Sequence, residues 1–422
     1  MELEPFVERS PKEEKLRFRM GKTLGLGWDH LKAIATGVIN NPAKLLWSAI
    51  CLAILVFVLR DLSSDLITIE PISVPKTFSE NGYTPEVTSR RLNDALNAYV
   101  KSAGSRMQSP SVAPRDELPK FIIPKIDLSI DAVVTPIRSF LNYKNRSSIS
   151  GELIVHDRLA WLRLRVDGQE AYSSPAGFDP ENFDAALAAA VPAVINRIRP
   201  YLVAAAIYDS DKNSALEKAN FIIARYPSSD INFQWAHVLK GRFFLDQKDF
   251  TQAEAVLREA VLLNKLNPVA HNNLGNALRH QSKFDQAIAE YKVAIEIDPK
   301  FAYPHHNLAV ALYSQGNLDG AMKELRIAMK IDPDDTDPHF VAGNILRDQT
   351  KLDEALYEYV EALKRDPQHT GAHNNLGIVF GMQHKLDEAI SQFRLAIDSD
   401  RDNEQAKGNL EAALQLRAET LQ

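Results

Sequence analysis

Cysteine is almost absent from this sequence of 422 residues: Cys51 is the single one, so no disulfide bond can form within one chain. Basic residues are not in excess either, since 49 lysine and arginine residues stand against 55 aspartate and glutamate residues, a formal net charge of −6. Proteins that bind nucleic acid through its phosphates normally carry a basic surface. The composition therefore argues against a nucleic-acid partner and leaves the redox compartment open.

The motifs of common catalytic sites are also missing. No GxSxG, HExxH or paired CxxC motif occurs, which leaves no basis for a hydrolase or a zinc enzyme. The tripeptide GKT at 21–23 resembles the end of a phosphate-binding loop, but Leu16 stands where that loop needs glycine. The sequence therefore predicts no enzyme activity, no cofactor and no metal.

What the sequence does contain is an internal repeat. The segment HNNLGNAL at 271–278 returns as HNNLGIVF at 373–380, and this offset of 102 (373 − 271) is three times 34. Copies that begin at residues 234, 268, 302, 336 and 370 all place histidine at position 4 and alanine at positions 20 and 27. Position 8 is glycine or alanine, and position 24 is leucine, tyrosine or phenylalanine.

This pattern resembles the tetratricopeptide repeat, in which each copy of roughly 34 residues forms two antiparallel helices. The resemblance covers residues 234–403 and includes Asp-Pro at the end of three copies. Small residues at positions 8, 20 and 27 allow the two helices to approach closely, while the bulky residue at position 24 fills the space between them. The resemblance implies helix pairs that stack into a superhelix with a concave inner surface.

Two flanking segments are predicted to close the repeat array. Residues 179–233 are predicted to be a helical linker that ends in a degenerate leading repeat from residue 200 onward, and Asp179-Pro180 is predicted to start its first helix. The residues that match the repeat are Leu216, Ala219 and Ile223. Residues 404–422 predict a lone capping helix, because terminal repeats need a polar outer face.

An uncharged apolar run at 45–59 lies between Lys44 and Arg60. It is shorter than the roughly 20 residues of a typical transmembrane helix, but flanking lysine and arginine side chains extend such a span by reaching toward the interface. A buried core helix is the alternative. We predict a transmembrane signal anchor at 45–60, preceded by an N-terminal segment at 1–44.

The orientation of this anchor follows from the distribution of basic residues. Close to the span the count is tied, but the whole segment 1–44 carries eight lysine and arginine residues, which favours a cytoplasmic N-terminus. The repeats would then lie outside the cytoplasm. The expected protein is a single-pass protein of the bacterial inner membrane.

Between the anchor and the repeats, residues 64–175 predict a small α+β domain. Its predicted elements are a strand at 66–74, a helix at 84–103, a loop at 104–119 and a hairpin at 149–166. The predicted fold class is therefore mainly α: a tetratricopeptide α-solenoid, preceded by this domain and by one transmembrane helix.

The five histidines at position 4 are predicted to pack within the repeats. Equivalent positions in successive repeats lie about 10 Å or more apart if helices pack at distances of roughly 8–10 Å. A zinc ion needs its ligand nitrogens at about 2.0–2.1 Å. The histidines therefore cannot share one metal ion.

In the tetratricopeptide family, positions 2, 5, 6, 9 and 12 of the first helix usually face the concave groove. The candidate partner-binding residues that this resemblance implies are Asn272, Asn273, Asn276, Arg279, His306, Asn307, Tyr313, Phe340, Asn344, Arg347, Asn374 and Asn375. Asn273, Asn307 and Asn375 share position 6, an arrangement similar to the asparagine ladder of O-linked N-acetylglucosamine transferase, whose amides hold an extended peptide. An amide both donates and accepts hydrogen bonds. A merely solvated polar face is the alternative.

The predicted function is a membrane-anchored, non-enzymatic scaffold that binds a peptide segment or a partner protein in its concave groove. The alternative is an accessory subunit of an envelope enzyme, such as a glycosyltransferase or a polymer-export system. No counterpart of the transferase's catalytic domain follows the repeats, so any activity is expected to come from a partner or from residues 64–175.

Overall fold

The computed structural model describes residues 66–80, 82–103, 111–114, 122–123, 128–129 and 146–420. The predicted N-terminal segment at 1–44 and the predicted anchor at 45–60 lie outside these ranges. Within them, no helix combines the length and the apolar character that crossing a membrane requires. The described residues divide into two compact units, one with the β-sheet and one with residues 94–103 and the helices from residue 181 onward.

The first unit is built on a five-stranded mixed sheet. The strands are β1 Leu66–Ile69, β2 Ser111–Pro114, β5 Arg146–His156, β6 Leu159–Val166 and β7 Gln169–Ser173, with a separate ribbon of β3 Ile122–Ile123 and β4 Leu128–Ser129. The order in the sheet is β2-β1-β5-β6-β7. Strand β1 pairs in parallel with β2 and β5, while the pairs β5–β6 and β6–β7 are antiparallel. Two helices, α1 Lys76–Ser79 and α2 Pro85–Ser102, follow β1.

Strands β5 and β6 form the predicted hairpin. Asp157 and Arg158 connect them with positive φ angles of 48° and 73°, as a tight two-residue turn requires. Leu162, Leu164 and Val166 are buried on one face, so the alternating pattern of β6 is confirmed. The helix predicted at 84–103 is confirmed as α2.

Two local predictions for this unit are wrong. Residues 111–114 form β2 instead of part of a loop, because β1 supplies hydrogen-bond partners that a local composition of Ser, Val, Ala and Pro does not reveal. The strand predicted at 66–74 ends at Ile69, although Ser73 still bridges to Glu152 of β5.

The helical unit begins with a helix and a degenerate repeat. A 3-10 turn, Pro180–Asn182, precedes α3 Phe183–Ile198, so Asp179-Pro180 starts the 3-10 turn and not the α-helix. The leading repeat consists of α4 Pro200–Ile207 and α5 Lys212–Arg225.

The predicted register of this leading repeat is wrong. Helix α5 buries Ala215, Ala219 and Ile222, whereas Leu216 and Ile223 are only half-buried. The second helix of the next repeat begins at Phe250, so its offset from Lys212 is 38 (250 − 212) and exceeds the repeat period of 34 by four. At an offset of 38 residues, Ala215, Ala219 and Ile222 of α5 correspond to the buried residues Ala253, Leu257 and Ala260 of α7.

Five regular helix pairs and a final helix follow. They are α6 Ile231–Asp246 and α7 Phe250–Leu263, α8 Pro268–His280 and α9 Phe284–Ile297, α10 Ala302–Ser314 and α11 Leu318–Ile331, α12 Asp337–Asp348 and α13 Leu352–Arg365, α14 Thr370–Met382 and α15 Leu386–Ser399, and α16 Glu404–Thr420. The second helices of these pairs begin at the constant spacing that the sequence repeat predicts. Helix α6 begins three residues before the predicted start at 234. The described helices therefore form a tetratricopeptide-type solenoid.

Close packing within each pair depends on positions 8 and 24. A Cβ atom added to Gly275 would lie 2.5 Å from the ring of Tyr291, and one added to Gly343 would lie 2.5 Å from Tyr359. Both tyrosines are fully buried, and burial of such a large side chain contributes roughly 1.5–3 kcal/mol. Glycine at position 8 therefore makes room for the bulky side chain of its own repeat.

Candidate functional site

The first helices of successive repeats line a cavity of about 610 Å³ in the helical unit. Six of the twelve predicted groove residues contribute to its wall. They are Asn272, Asn273, Asn276 and Arg279 from α8 and His306 and Asn307 from α10. The other six, Tyr313, Phe340, Asn344, Arg347, Asn374 and Asn375, lie on α10, α12 and α14 and do not line it.

The asparagines at position 6 bond to the preceding repeat. The Nδ2 atom of Asn307 donates to Oδ1 of Asn272 at 2.9 Å, and Nδ2 of Asn375 donates to Oδ1 of Asn344 at 2.7 Å. Each of these bonds uses one of the two amide N–H groups. The position-6 asparagines therefore hold adjacent repeats together and retain only part of their hydrogen-bonding capacity for a ligand.

Helix α16 continues this series of asparagines. Asn409 lies one repeat period after Asn375 and donates through Nδ2 to Oδ1 of Asn374 at 2.9 Å. The sequence prediction ended the series at Asn375. One further step of the repeat period would have found Asn409.

Asn273 differs from the other asparagines at position 6. Its Oδ1 accepts a long hydrogen bond of 3.4 Å from Nδ2 of Asn272, and its own amide N–H groups donate to no other group in the described part of the chain. The equivalent residues Leu239 and Val341 interrupt the series, and Leu239 is buried in the core. Asn273 is thus the position-6 amide with both N–H groups open to a ligand.

The asparagines at position 9 accept hydrogen bonds from the hydroxyl groups of buried tyrosines. Tyr291 donates its hydroxyl hydrogen to Oδ1 of Asn276 at 2.7 Å, and Tyr359 donates to Oδ1 of Asn344 at 2.8 Å. Burial raises the pKa of Tyr291 to about 12, against the opposing effect of the nearby Arg279 guanidinium. In the repeats where position 24 is Leu257, Leu325 or Phe393, position 9 is not asparagine. Asn276 and Asn344 therefore complete the packing of their own repeats, a correlation that the sequence already displays.

Predicted groove residues of the third and fourth repeats are engaged within the protein. Arg347 donates from Nη2 to Oδ1 of Asp348 at 2.9 Å, and the hydroxyl of Tyr313 donates to the other oxygen of the same carboxylate. Burial raises the pKa of Tyr313 to about 12, and the hydrogen bond to Asp348 acts in the same direction. Phe340 packs against His369 with ring centroids 4.8 Å apart.

Two polar groups of the cavity wall stand out because a buried atom of each has no hydrogen-bond partner in the described chain. These atoms are Nε of Arg279 and Nδ1 of His306. Burial lowers the pKa of His306, while the carboxylates of Asp337 and Asp335 act in the opposite direction. An unsatisfied buried donor favours a ligand that brings an acceptor.

The five histidines at position 4 are buried, so the predicted packing is confirmed, and four of them form hydrogen bonds across their own helix pair. The Nδ1 atoms of His271, His305 and His339 lie 2.6, 2.7 and 2.7 Å from the carboxylates of Glu290, Glu324 and Glu358, and Nδ1 of His373 lies 2.8 Å from Gln392. Among the described residues, no group of three or more histidine, cysteine or acidic side chains is arranged to hold a metal ion.

Family models match the central repeats. One described as TPR repeat matches residues 275–316 and 343–384, and one described as Tetratricopeptide repeat matches 302–335. No curated protein matches the chain. Together with the regular helix pairs, these matches show that the chain contains tetratricopeptide repeats.

Several solved structures resemble the chain. They include YrrB, described as a TPR protein with an unusual peptide-binding site (20% identity, 46% of this chain, 97% of that chain, TM-score 0.35), TTC0263, a thermophilic TPR protein of Thermus thermophilus (19%, 43%, 99%, 0.39), and pilF of Pseudomonas aeruginosa (17%, 44%, 90%, 0.39).

Proposed function

We propose that this protein is a non-catalytic scaffold whose tetratricopeptide repeats bind a peptide segment or a partner protein in their concave groove. The observation that carries this proposal is the cavity wall formed by α8 and α10. There, the amide of Asn273, the guanidinium of Arg279 and the imidazole of His306 all have hydrogen-bonding atoms that no described residue satisfies. An extended peptide backbone presents the alternating donors and acceptors that such side chains bind.

The groove residues divide into two groups by their present partners. Asn273, Arg279 and His306 are the residues that we expect to contact the ligand directly. Asn276, Asn344 and Asn374 already accept hydrogen bonds from within the solenoid, and we expect them to position their neighbours.

The position-6 series suggests how an extended ligand would lie. Asn273 and Asn307 serve one end of the groove and Asn375 and Asn409 the other, while Val341 offers an apolar contact between them. In this arrangement the series acts like the asparagine ladder of O-linked N-acetylglucosamine transferase, with one apolar interruption.

The test is purification of the full-length protein from its own membranes with identification of the proteins retained, followed by affinity measurements on the best partner. Asn273→Ala should weaken binding about two-fold to ten-fold, since one hydrogen bond contributes roughly 0.5–1.5 kcal/mol. Asn213→Ala is the matched control, because Asn213 is an exposed residue of α5 outside the cavity wall. Equal affinities of both variants and the unaltered protein would contradict the proposed site.

We further propose that residues 45–60 anchor the protein in the bacterial inner membrane with the repeats outside the cytoplasm. The uncharged run at 45–59 and the eight basic residues before it support this placement. Full-length protein should stay in the membrane pellet after an alkaline carbonate wash, and release into the wash would contradict the anchor. If the retained partner is an envelope enzyme, the protein acts as its accessory subunit.

A further inference from the structure

The second helix of the fourth repeat, α13, carries two exposed hydrophobic side chains that the other repeats lack. Tyr357 at position 22 is 61% exposed, and Val360 at position 25 is 40% exposed. The equivalent residues of the other four repeats are also exposed, but position 22 is small or polar there and position 25 is basic. They are Ala255, Ala289, Lys323 and Ser391 at position 22, and Arg258, Lys292, Arg326 and Arg394 at position 25. The fourth repeat therefore departs from the others at two positions that do not contribute to the core.

These side chains lie beside a groove of about 350 Å³ between α11 and α13, which we call the outer groove. Its apolar lining consists of Met322, Met329, Leu346 and Tyr357, and Val360 lies one helical turn after Tyr357. None of these residues lines the cavity of about 610 Å³. Methionine side chains adapt their shape to a partner, and exposed hydrophobic side chains around a groove are typical of a protein–protein interface.

The rim of the outer groove carries one open charge of each sign. Arg326 stands on the α11 wall and Glu354 on the α13 wall. Neither side chain forms a hydrogen bond or a salt bridge with any residue that the structure describes. The other two carboxylates of the rim are engaged: they are Asp353, which accepts from Gln383, and Glu358, which lies 2.7 Å from His339. An occupant of this groove should therefore offer an apolar surface, one carboxylate and one cationic group.

We propose that the occupant is a second copy of this chain, bound through the same surface. The surface supplies what it requires, since it combines projecting hydrophobic side chains, an apolar groove and one open charge of each sign. A two-fold symmetric contact places the same patch on both sides. With the two α13 helices antiparallel, Arg326 of each copy faces Glu354 of the partner subunit. The contact leaves the walls of both peptide cavities uncovered, so the dimer binds two ligands at once.

The first test measures the mass of the full-length protein in mild detergent by analytical ultracentrifugation over a dilution series. We expect a dimer that dissociates on dilution. Tyr357→Lys combined with Val360→Arg gives the fourth repeat the residues of the third, Lys323 and Arg326, so the circular dichroism spectrum should not change. The dissociation constant should rise about a hundred-fold or more, because each copy loses two hydrophobic contacts. Ala289→Lys, at position 22 of the second repeat, is the matched control and should leave the dimer intact.

A charge exchange tests the two-fold arrangement. Arg326→Glu and Glu354→Arg should each weaken self-association, because each variant places like charges opposite one another in both contacts. An equimolar mixture of the two variants should form mixed dimers, since each contact then pairs opposite charges. An ion pair within one chain would not be restored by mixing. Absence of mixed dimers would overturn the proposed arrangement.

The second test places the contact in the membrane. In a Cys51→Ser background the chain has no other cysteine, and Tyr357→Cys then puts one thiol next to the two-fold axis. Mild oxidation of membranes should produce a disulfide-linked dimer, whereas Ala289→Cys should stay monomeric. A monomeric unaltered protein, or a dimer that persists in the Tyr357→Lys/Val360→Arg variant, would overturn the proposal. Peptide binding in the concave cavity does not depend on either outcome.

Discussion

Asn307 of α10 donates a hydrogen bond to Asn272 of α8 across 2.9 Å, and thereby joins two successive repeats. Asn273, one residue further along α8 and equivalent to Asn307 by the repeat period, donates to no described residue. The same amino acid at the same repeat position therefore has a structural role in one repeat and an open amide in the other.

This difference predicts unequal effects on stability. Asn307→Ala should lower the free energy of unfolding by about 1 kcal/mol, because it removes an inter-repeat hydrogen bond and leaves Oδ1 of nearly buried Asn272 without its donor. Asn273→Ala should change it little, since alanine is the better helix former. Thermal unfolding of both variants, followed by circular dichroism, measures the difference. Equal melting temperatures would contradict the bridging role.

The contact of Gly275 with Tyr291 predicts a coupling between positions 8 and 24. Gly275→Ala should destabilise the protein by about 1–3 kcal/mol, because the added methyl group overlaps the ring. The third repeat combines Ala309 with Leu325, both fully buried. Gly275→Ala should therefore lower the free energy of unfolding by a smaller amount when Tyr291 is also replaced by leucine. Urea unfolding of the four proteins of this cycle tests the coupling, and additive effects would argue against it.

The buried hydroxyl of Tyr291 predicts a loss of stability at high pH. Burial raises the pKa of Tyr291 from 10.0 to about 12, so the folded state holds this proton more tightly than the unfolded state. The stabilisation is fully present below pH 10 and is lost as the pH rises toward 12. The absorbance of tyrosinate should be followed across this pH range in both proteins. The number of tyrosines that ionise only near the upper end of the range should be smaller by one in Tyr291→Phe than in the unaltered protein. Identical titration curves would contradict the shift.

At the His271–Glu290 pair, we expect that replacing the glutamate with glutamine preserves stability and that replacing it with alanine does not. In the last repeat, Gln392 already takes the place of the glutamate and lies 2.8 Å from His373. Glu290→Gln should therefore change the melting temperature little. Glu290→Ala leaves a buried imidazole nitrogen without its partner and should cost about 1–3 kcal/mol. If the two variants unfold at the same temperature, the pair does not stabilise the repeat.

Much of the helical unit could be predicted because its determinants lie close together in the sequence. The small residue at position 8 and the bulky residue at position 24 of one repeat contact each other, as Gly275 and Tyr291 do, so the repeat period predicts the helix pair directly. The hairpin of β5 and β6 is equally local, since alternation along β6 specifies its buried face.

Contacts between distant segments decided the rest. Strand β2 exists because β1 offers a parallel edge, and no local pattern in its four residues predicts that partner. The register of the leading repeat depends on four extra residues before the regular pairs, which a search at one fixed period cannot detect.

For the candidate site, the sequence by itself determined which residues share one face of the first helices, because the repeat period sets the helical position of each residue. Tertiary structure alone decided which of them remain open to a ligand. Asn307 donates to Asn272 of the preceding repeat, while the amide N–H groups of Asn273 meet no acceptor among the described residues. These outcomes depend on what the neighbouring repeat places within hydrogen-bonding distance, a relationship that a single repeat does not contain.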